Sequence, residues 1–442
     1  MVEVVPAEQR APLPYQTYSQ AMVYFSLQLV CLGASLRAAA RILSWLAPLC
    51  GLGERTPCYQ SVRQWLLRVG LHALSQPRQR SDDWIWMLDH TQQLGDKKVL
   101  LIVGLRLSQW QRGEPLQQRD LELLAVLPET SSTGESLADH LEELEPQLGV
   151  PRAIVSDGAR ELRLGVNLFY AQHPEHPRAW VYDIKHFAAI LLKHELQPDA
   201  NWQAFTAAAN RTKQQCSVTA LAALHPPNQR GKARYLNLQE LLAWSRKVLA
   251  LLDANAAPQL GLDPTKFEAR FGWLRDFRTS LDEWQAALQV IEIAESHVRR
   301  EGVYRGLVET LAPPLAAAAT SPLSQRLRDK LLQHLDEQSQ QTVGDEHLPA
   351  SSECLESLIG TYKHLQGEQG HHGVTSLVLA LGALLTRDIR EVIPAAFAST
   401  TTQSLRDWCQ QRLGATLQAC RQRCHHFLAS LTNPNPQQPS PQ

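Results

Sequence analysis

A chain of 442 residues is long enough for two or three domains. A hydrophobic share of 44% with 20% charged residues excludes a disordered or fibrous chain. The net charge of -1 gives no global sign of a nucleic-acid partner, but the first 80 residues carry eight Arg against three Glu, a local basic excess. Eight cysteines show no CxxC pair. Cys420, Cys424, His425 and His426, with Cys409 upstream, come nearest to a metal pattern, and buried helical thiols are the simpler account. No signal peptide is visible, so reduced thiols in a cytoplasm are expected. The apolar stretch 21–36 falls short of the roughly 20 residues a membrane span needs, so no membrane partner is expected.

In chain order, the pattern predicts a helix over 17–32 that stops at Gly33. A second begins after Ser35 and repeats apolar residues at Leu36, Ala39, Ala40, Leu43 and Leu46. A third follows the cap Thr56 and Pro57, with Val62, Trp65, Leu66 and Val69 as its buried stripe. Arg63, Gln64 and Arg68 fall outside that stripe, so a helix-turn-helix that reads DNA through them is expected over residues 1–78.

From Asp82 the grammar changes to β-prone runs. Strands are expected at Trp84–Thr91, 99–107, 121–127, 151–156 and 179–182, with a hairpin turn at Leu94-Gly95-Asp96-Lys97. Helices are expected at 136–148 and 162–171. The order β-β-β-α-β-α-β predicts a ribonuclease H-like mixed sheet with helices on both faces, the first part of a catalytic core over 79–198. Residues 199–348 read as an all-α insertion, 349–430 as helices that complete the core, and 431–442 as a disordered tail by composition.

Two of the strands stop on an aspartate, Asp89 and Asp157, and a carboxylate at the end of a buried strand is costly unless it binds a cation. In this topology the first strand lies beside the fourth, which brings the two acids together. The helix expected at 351–364 puts Glu353, Glu356, Gly360 and Lys363 on one face, with Leu355, Leu358, Ile359 and Tyr362 on the other. Asp89, Asp157 and Glu356 are therefore the candidate catalytic and metal-binding residues. They would hold two Mg2+ (or Mn2+) ions for phosphodiester cleavage and joining. Lys363 is placed to touch a phosphate. Glu353 is better read as a first-turn acid complementing the helix dipole. Asp183 ends the fifth strand and is open to two readings, metal ligand or helix cap, and His186 reads as a polar residue or a contact to flanking DNA. Trp202, Trp244, Trp273 and Trp284 are candidates for stacking on a flipped base, though a Trp on an amphipathic helix is more often core.

These segments resemble the DDE-type transposases of bacterial insertion sequences. The resemblance lies in the strand ending on Asp89, in Ser156-Asp157-Gly158 and in Tyr182-Asp183-Ile184-Lys185-His186. It lies above all in Ser-Ser-Glu-Cys-Leu-Glu-Ser-Leu-Ile-Gly-Thr-Tyr-Lys at 351–363. It implies Asp89, Asp157 and Glu356 as the triad and a long helical insertion before the third acid. It also implies a trihelical module on the element ends, double-stranded DNA as partner, a homodimer or larger assembly, and a bacterial, nucleoid-associated protein. Ser352 stands where hairpin-forming relatives tend to carry an arginine. The alternatives are a non-catalytic DNA-binding descendant of that scaffold and a ribonuclease H-like nuclease without strand transfer.

Overall fold

The computed structural model describes residues 13, 17–50, 52, 55–91, 98–216, 219–229, 238–367, 375–414 and 417–432. The turn expected at 94–97 and the stretch 433–442 lie outside them, as does the Cys420 side chain. The chain is mixed α/β and forms two compact units. The first comprises 1–110, 116–180 and 352–442; the second comprises 111–115 and 181–351.

In the first unit, helices α1 (Gln20–Cys31), α2 (Leu36–Cys50) and α3 (Tyr59–Ser75) precede the sheet. Ser35 caps α2 as expected, accepting from the Ala38 N–H at 3.1 Å. Helix α3 starts later than its Thr56-Pro57 signal, because Cys58 is still extended at φ -81° and ψ 165°. The strands are β1 (Trp84–Thr91), β2 (Lys98–Arg106), β3 (Glu122–Glu129), β4 (Ala153–Ser156) and β5 (Ala179–Tyr182). Helices α4 (Gly134–Leu148) and α5 (Arg160–Gln172) connect β3 to β4 and β4 to β5. The sheet runs β3-β2-β1-β4-β5. β1 is antiparallel to β2 and parallel to β4, with Leu88 opposite Ser156.

Side chains alternate between the two faces of a strand. Trp84, Trp86 and Leu88 of β1, with Ile154 of β4, pack into one apolar cluster with Leu137 and Leu141 of α4 and Leu162, Val166 and Phe169 of α5. Ile85, Met87 and Val155 are equally buried but belong to the opposite face. That face is covered by the returning C-terminal segment: Cys354, in helix α6 (Glu353–Gln366), lies with its sulfur 4.0 Å from that of Met87. Next come α7 (Ala380–Leu385), α8 (Ile389–Ser399), α9 (Thr402–Trp408) and α10 (Leu417–Thr432). The last of these carries helix through 431 and 432, where the tail was expected to begin.

The second unit is helical. Its largest aromatic assembly is Trp202, Phe205, Trp273 and Trp284, with the rings of Trp202 and Trp284 edge to face at 5.0 Å. Trp202 and Trp284 are each 1% exposed. The Trp244 indole donates to the Leu224 carbonyl at 2.8 Å, and that of Trp273 to the Thr212 hydroxyl at 3.0 Å. All four tryptophans thus hold the unit together. No described helix is long and apolar enough to cross a membrane.

Candidate active site

The site is built at the carboxyl ends of β1 and β4. Because Leu88 faces Ser156 in parallel register, Asp89 and Asp157 are the next residues along two adjacent strands. Neighbouring strands lie about 5 Å apart, so the two aspartates leave from neighbouring stretches of backbone. Alternation puts Asp89 on the Met87 face, the one that α6 covers. Both aspartates are half-buried. One oxygen of Asp157, Oδ1, accepts from the Ala159 N–H at 3.0 Å, which fixes the carboxylate at the mouth of α5. Behind it, the Trp180 indole N–H donates to the Ser156 hydroxyl at 2.9 Å.

Helix α6 carries the other two candidate acids, Glu353 and Glu356. Its buried stripe is Cys354, Leu355, Leu358, Ile359 and Tyr362, as the periodicity predicts. Glu353 and Glu356 are half-buried on the other side, while Gly360 and Lys363 are exposed. The contact of Cys354 with Met87, two residues before Asp89, anchors the amino end of α6 against β1. Asp89, Asp157 and Glu356 therefore all belong to the first unit, although 199 residues separate the last two.

Carboxylate oxygens are the ligands a hard divalent ion takes, and Asp89, Asp157 and Glu356 offer that donor type. Among the described residues, no group of three or more His, Cys, Asp or Glu side chains is drawn together at metal-holding spacing.

His90, next to Asp89, points elsewhere. Its Nε2 lies 3.0 Å from the Ser132 hydroxyl and 3.8 Å from Glu129, whose other oxygen is 3.2 Å from His140 Nε2. Burial pushes the Glu129 carboxyl up, but His140, His90 and Ser132 beside it more than offset this and hold it at about 2. Sequence reading missed this cluster, since His90, Glu129 and His140 lie on β1, β3 and α4 and no local spacing links the three.

Arg68 was expected outside the buried stripe of its helix but lies inside. It is 6% exposed, donates to the Thr400 and Phe397 carbonyls at 2.7 and 2.8 Å, and stacks 4.0 Å from the Phe397 ring. It is a cap on the carboxyl end of α8 and does not face solvent. Arg63 is half-buried, with Nη2 donating to the Ser376 hydroxyl at 2.6 Å, and burial lowers its pKa. Gln64 is half-buried as well.

In the second unit, Asp183 is 1% exposed and caps the helix Ile184–Leu196, accepting from the His186 N–H at 2.8 Å. The cap reading of Asp183 is supported by this bond. His186 is half-buried at that helix start.

No protein-family model matches the chain, and no curated protein matches it. Among solved structures it is similar to the Drosophila P element transposase strand transfer complex, with 12% identity and a TM-score of 0.41 over 86% of this chain and 94% of that chain. Likeness at this level places no residue and defines no activity.

Proposed function

We propose that this chain is a metal-dependent DNA transposase with a ribonuclease H-like core. It cuts phosphodiester bonds at element ends and joins the 3′-OH ends to target DNA, acting as a homodimer or larger assembly on paired ends. One observation carries the reading: Asp89 in β1 and Asp157 just past β4 follow the last paired residues, Leu88 and Ser156, of two adjacent parallel strands, and α6, with Glu353 and Glu356, is anchored against β1. Asp89, Asp157 and Glu356 would hold Mg2+ or Mn2+. When bound, such ions activate a water or 3′-OH and stabilise the leaving oxygen. The protein's own part is to orient the acids: β1 and β4 fix two by register, and Ala159 N–H locks the rotation of Asp157. Lys363 sits exposed on the acid-bearing face of α6 for a phosphate. With Arg68 buried, the outward basic residues of the N-terminal helices are Arg37 and Arg41 on α2, which we assign to DNA contact with Arg63 and Gln64 at its margin. His186 remains a candidate contact to flanking DNA.

The test is metal-dependent nicking of labelled element ends. Asp157→Asn and Glu356→Gln are expected to lower cutting by at least the roughly hundredfold that losing even an outer partner of a metal site can cost. End binding should persist in both, and Glu353→Gln should cut nearly as well as wild type. An Asp157→Asn protein that cuts normally would refute the assignment. If only Glu353→Gln fails, the third acid is Glu353. Tight binding with no cutting by wild type would favour the non-catalytic alternative.

A further inference from the structure

Directly beyond Asp157 the surface opens into a pocket of about 450 Å³ lined by Gly158, Arg160, Arg163, Leu164 and Asn167. Arg160, Arg163 and Asn167 recur at i, i+3 and i+7, so they form one exposed ridge of α5, the face opposite its buried Leu162, Val166 and Phe169. Among the described residues neither arginine makes an ion pair, although the chain forms many elsewhere. Two unpaired guanidinium groups beside a cavity favour an anionic occupant. Arg163 is also held in place: its guanidinium lies 5.8 Å from the Trp180 ring, whose N–H is bonded to Ser156, the residue before Asp157. The pocket is thus tied to the strand end that carries the acid.

We propose that this pocket holds the sugar–phosphate backbone of a DNA strand leading into the carboxylate site, with Arg160 and Arg163 on successive phosphates and Asn167 as a neutral donor. The proposal rests on the DNA-processing reading above. Gly158 leaves room for close approach of the strand, and Leu164 faces the sugar edge.

The experiment measures binding of the full chain to a fluorescent duplex of arbitrary sequence over a salt series without divalent metal, alongside Mg2+-dependent nicking. For Arg160→Ala/Arg163→Ala, losing two phosphate contacts should flatten the slope of log affinity against log salt by about 1.8. It should weaken low-salt binding about tenfold or more, with the circular dichroism spectrum unchanged, since both side chains are exposed. Arg160→Lys/Arg163→Lys should keep most of the slope, because charge is retained. An alanine variant with the wild-type slope overturns the pocket. If wild type nicks DNA and that slope is unchanged, the pocket falls and the nuclease reading stands. If the slope drops and wild type never nicks, the pocket stands and the nuclease reading falls.

Discussion

At the residue scale, Glu129 is a carboxyl strongly changed by folding. It is 7% exposed, and its two oxygens lie at ion-pair distance from two imidazoles. The neighbours that face it are His90, Ser132 and His140, and His140 itself feels Glu143 and Arg412. The contact with Glu129 raises the His140 pKa above its ordinary 6.5. The signs then fix a pH window. A raised histidine contributes stability that is complete below about 6.5 and is lost as pH climbs through the higher folded value. A depressed carboxyl contributes stability that is complete above about 4.5 and is lost as pH falls toward about 2. The cluster should therefore support the fold best between about pH 4.5 and 6.5, by at most about 3 kcal/mol. Urea unfolding at a series of pH values checks this. His140→Gln should remove the loss of stability above neutral pH, and an unchanged pH profile would show that the pair contributes nothing. Because His90 adjoins Asp89, the same variant also asks whether this cluster steadies the strand end that bears the acid.

At the element scale, α3 shows where local pattern misleads. Its sequence marks an apolar stripe at Val62, Trp65, Leu66 and Val69, and all four are buried. Leu67, Arg68, Gly70, Leu71 and His72 are buried too, because α7, α8 and α9, more than 300 residues downstream, pack on its other side. A helix covered all round cannot be recognised from one face of its wheel when the covering comes from so far along the chain. The strands were legible because β1, β2 and β4 are short, apolar and β-branched, buried on both faces, and need no distant partner to be read. The stripe of α6 was legible for the same local reason. The arginines of α5 were not, since their helix begins at Arg160, two residues before the start its periodicity suggests.

The crossing of α3 with α7 is set by two glycines. A Cβ on Gly70 would lie 1.8 Å from the Leu379 carbonyl oxygen, and one on Gly382 would lie 2.5 Å from that of Gly70. Backbone atoms cannot step aside as a side-chain tip can, so Gly70→Ala must separate the helices. The expected loss is about 3 kcal/mol, the upper end for overpacking. It reads as a lower urea midpoint with little change in the denaturant slope. Gly360 in α6 is the control, since a Cβ there meets nothing within 4 Å. Gly360→Ala should stabilise by about 0.5–1 kcal/mol, because only the helix-propensity and backbone-entropy terms remain. If both substitutions destabilise equally, close packing is not what selects glycine at position 70.

At the scale of the whole molecule, the chain leaves the first unit after Trp180 and returns at Ser352. The 181–351 segment begins and ends side by side: the Ile184 N–H donates to the Ala350 carbonyl at 3.0 Å. Inside the segment, Val303 and Leu348 exchange backbone bonds at 2.8 and 2.9 Å. An insertion whose ends meet can be long without straining its host, since closing a longer loop adds only about 0.6 kcal/mol per doubling. The third acid can thus sit 199 residues after the second and still belong to the same unit. The same geometry makes the insertion removable. Replacing residues 184–350 with a short glycine-serine linker should leave a first unit that unfolds in one cooperative transition, because its apolar cluster draws only on β1–β4, α4 and α5 and their close neighbours. Circular dichroism during urea titration decides it. A broad, non-cooperative loss of signal would mean that the acid-bearing sheet depends on the insertion for its fold, and that the two units are not separable folding units.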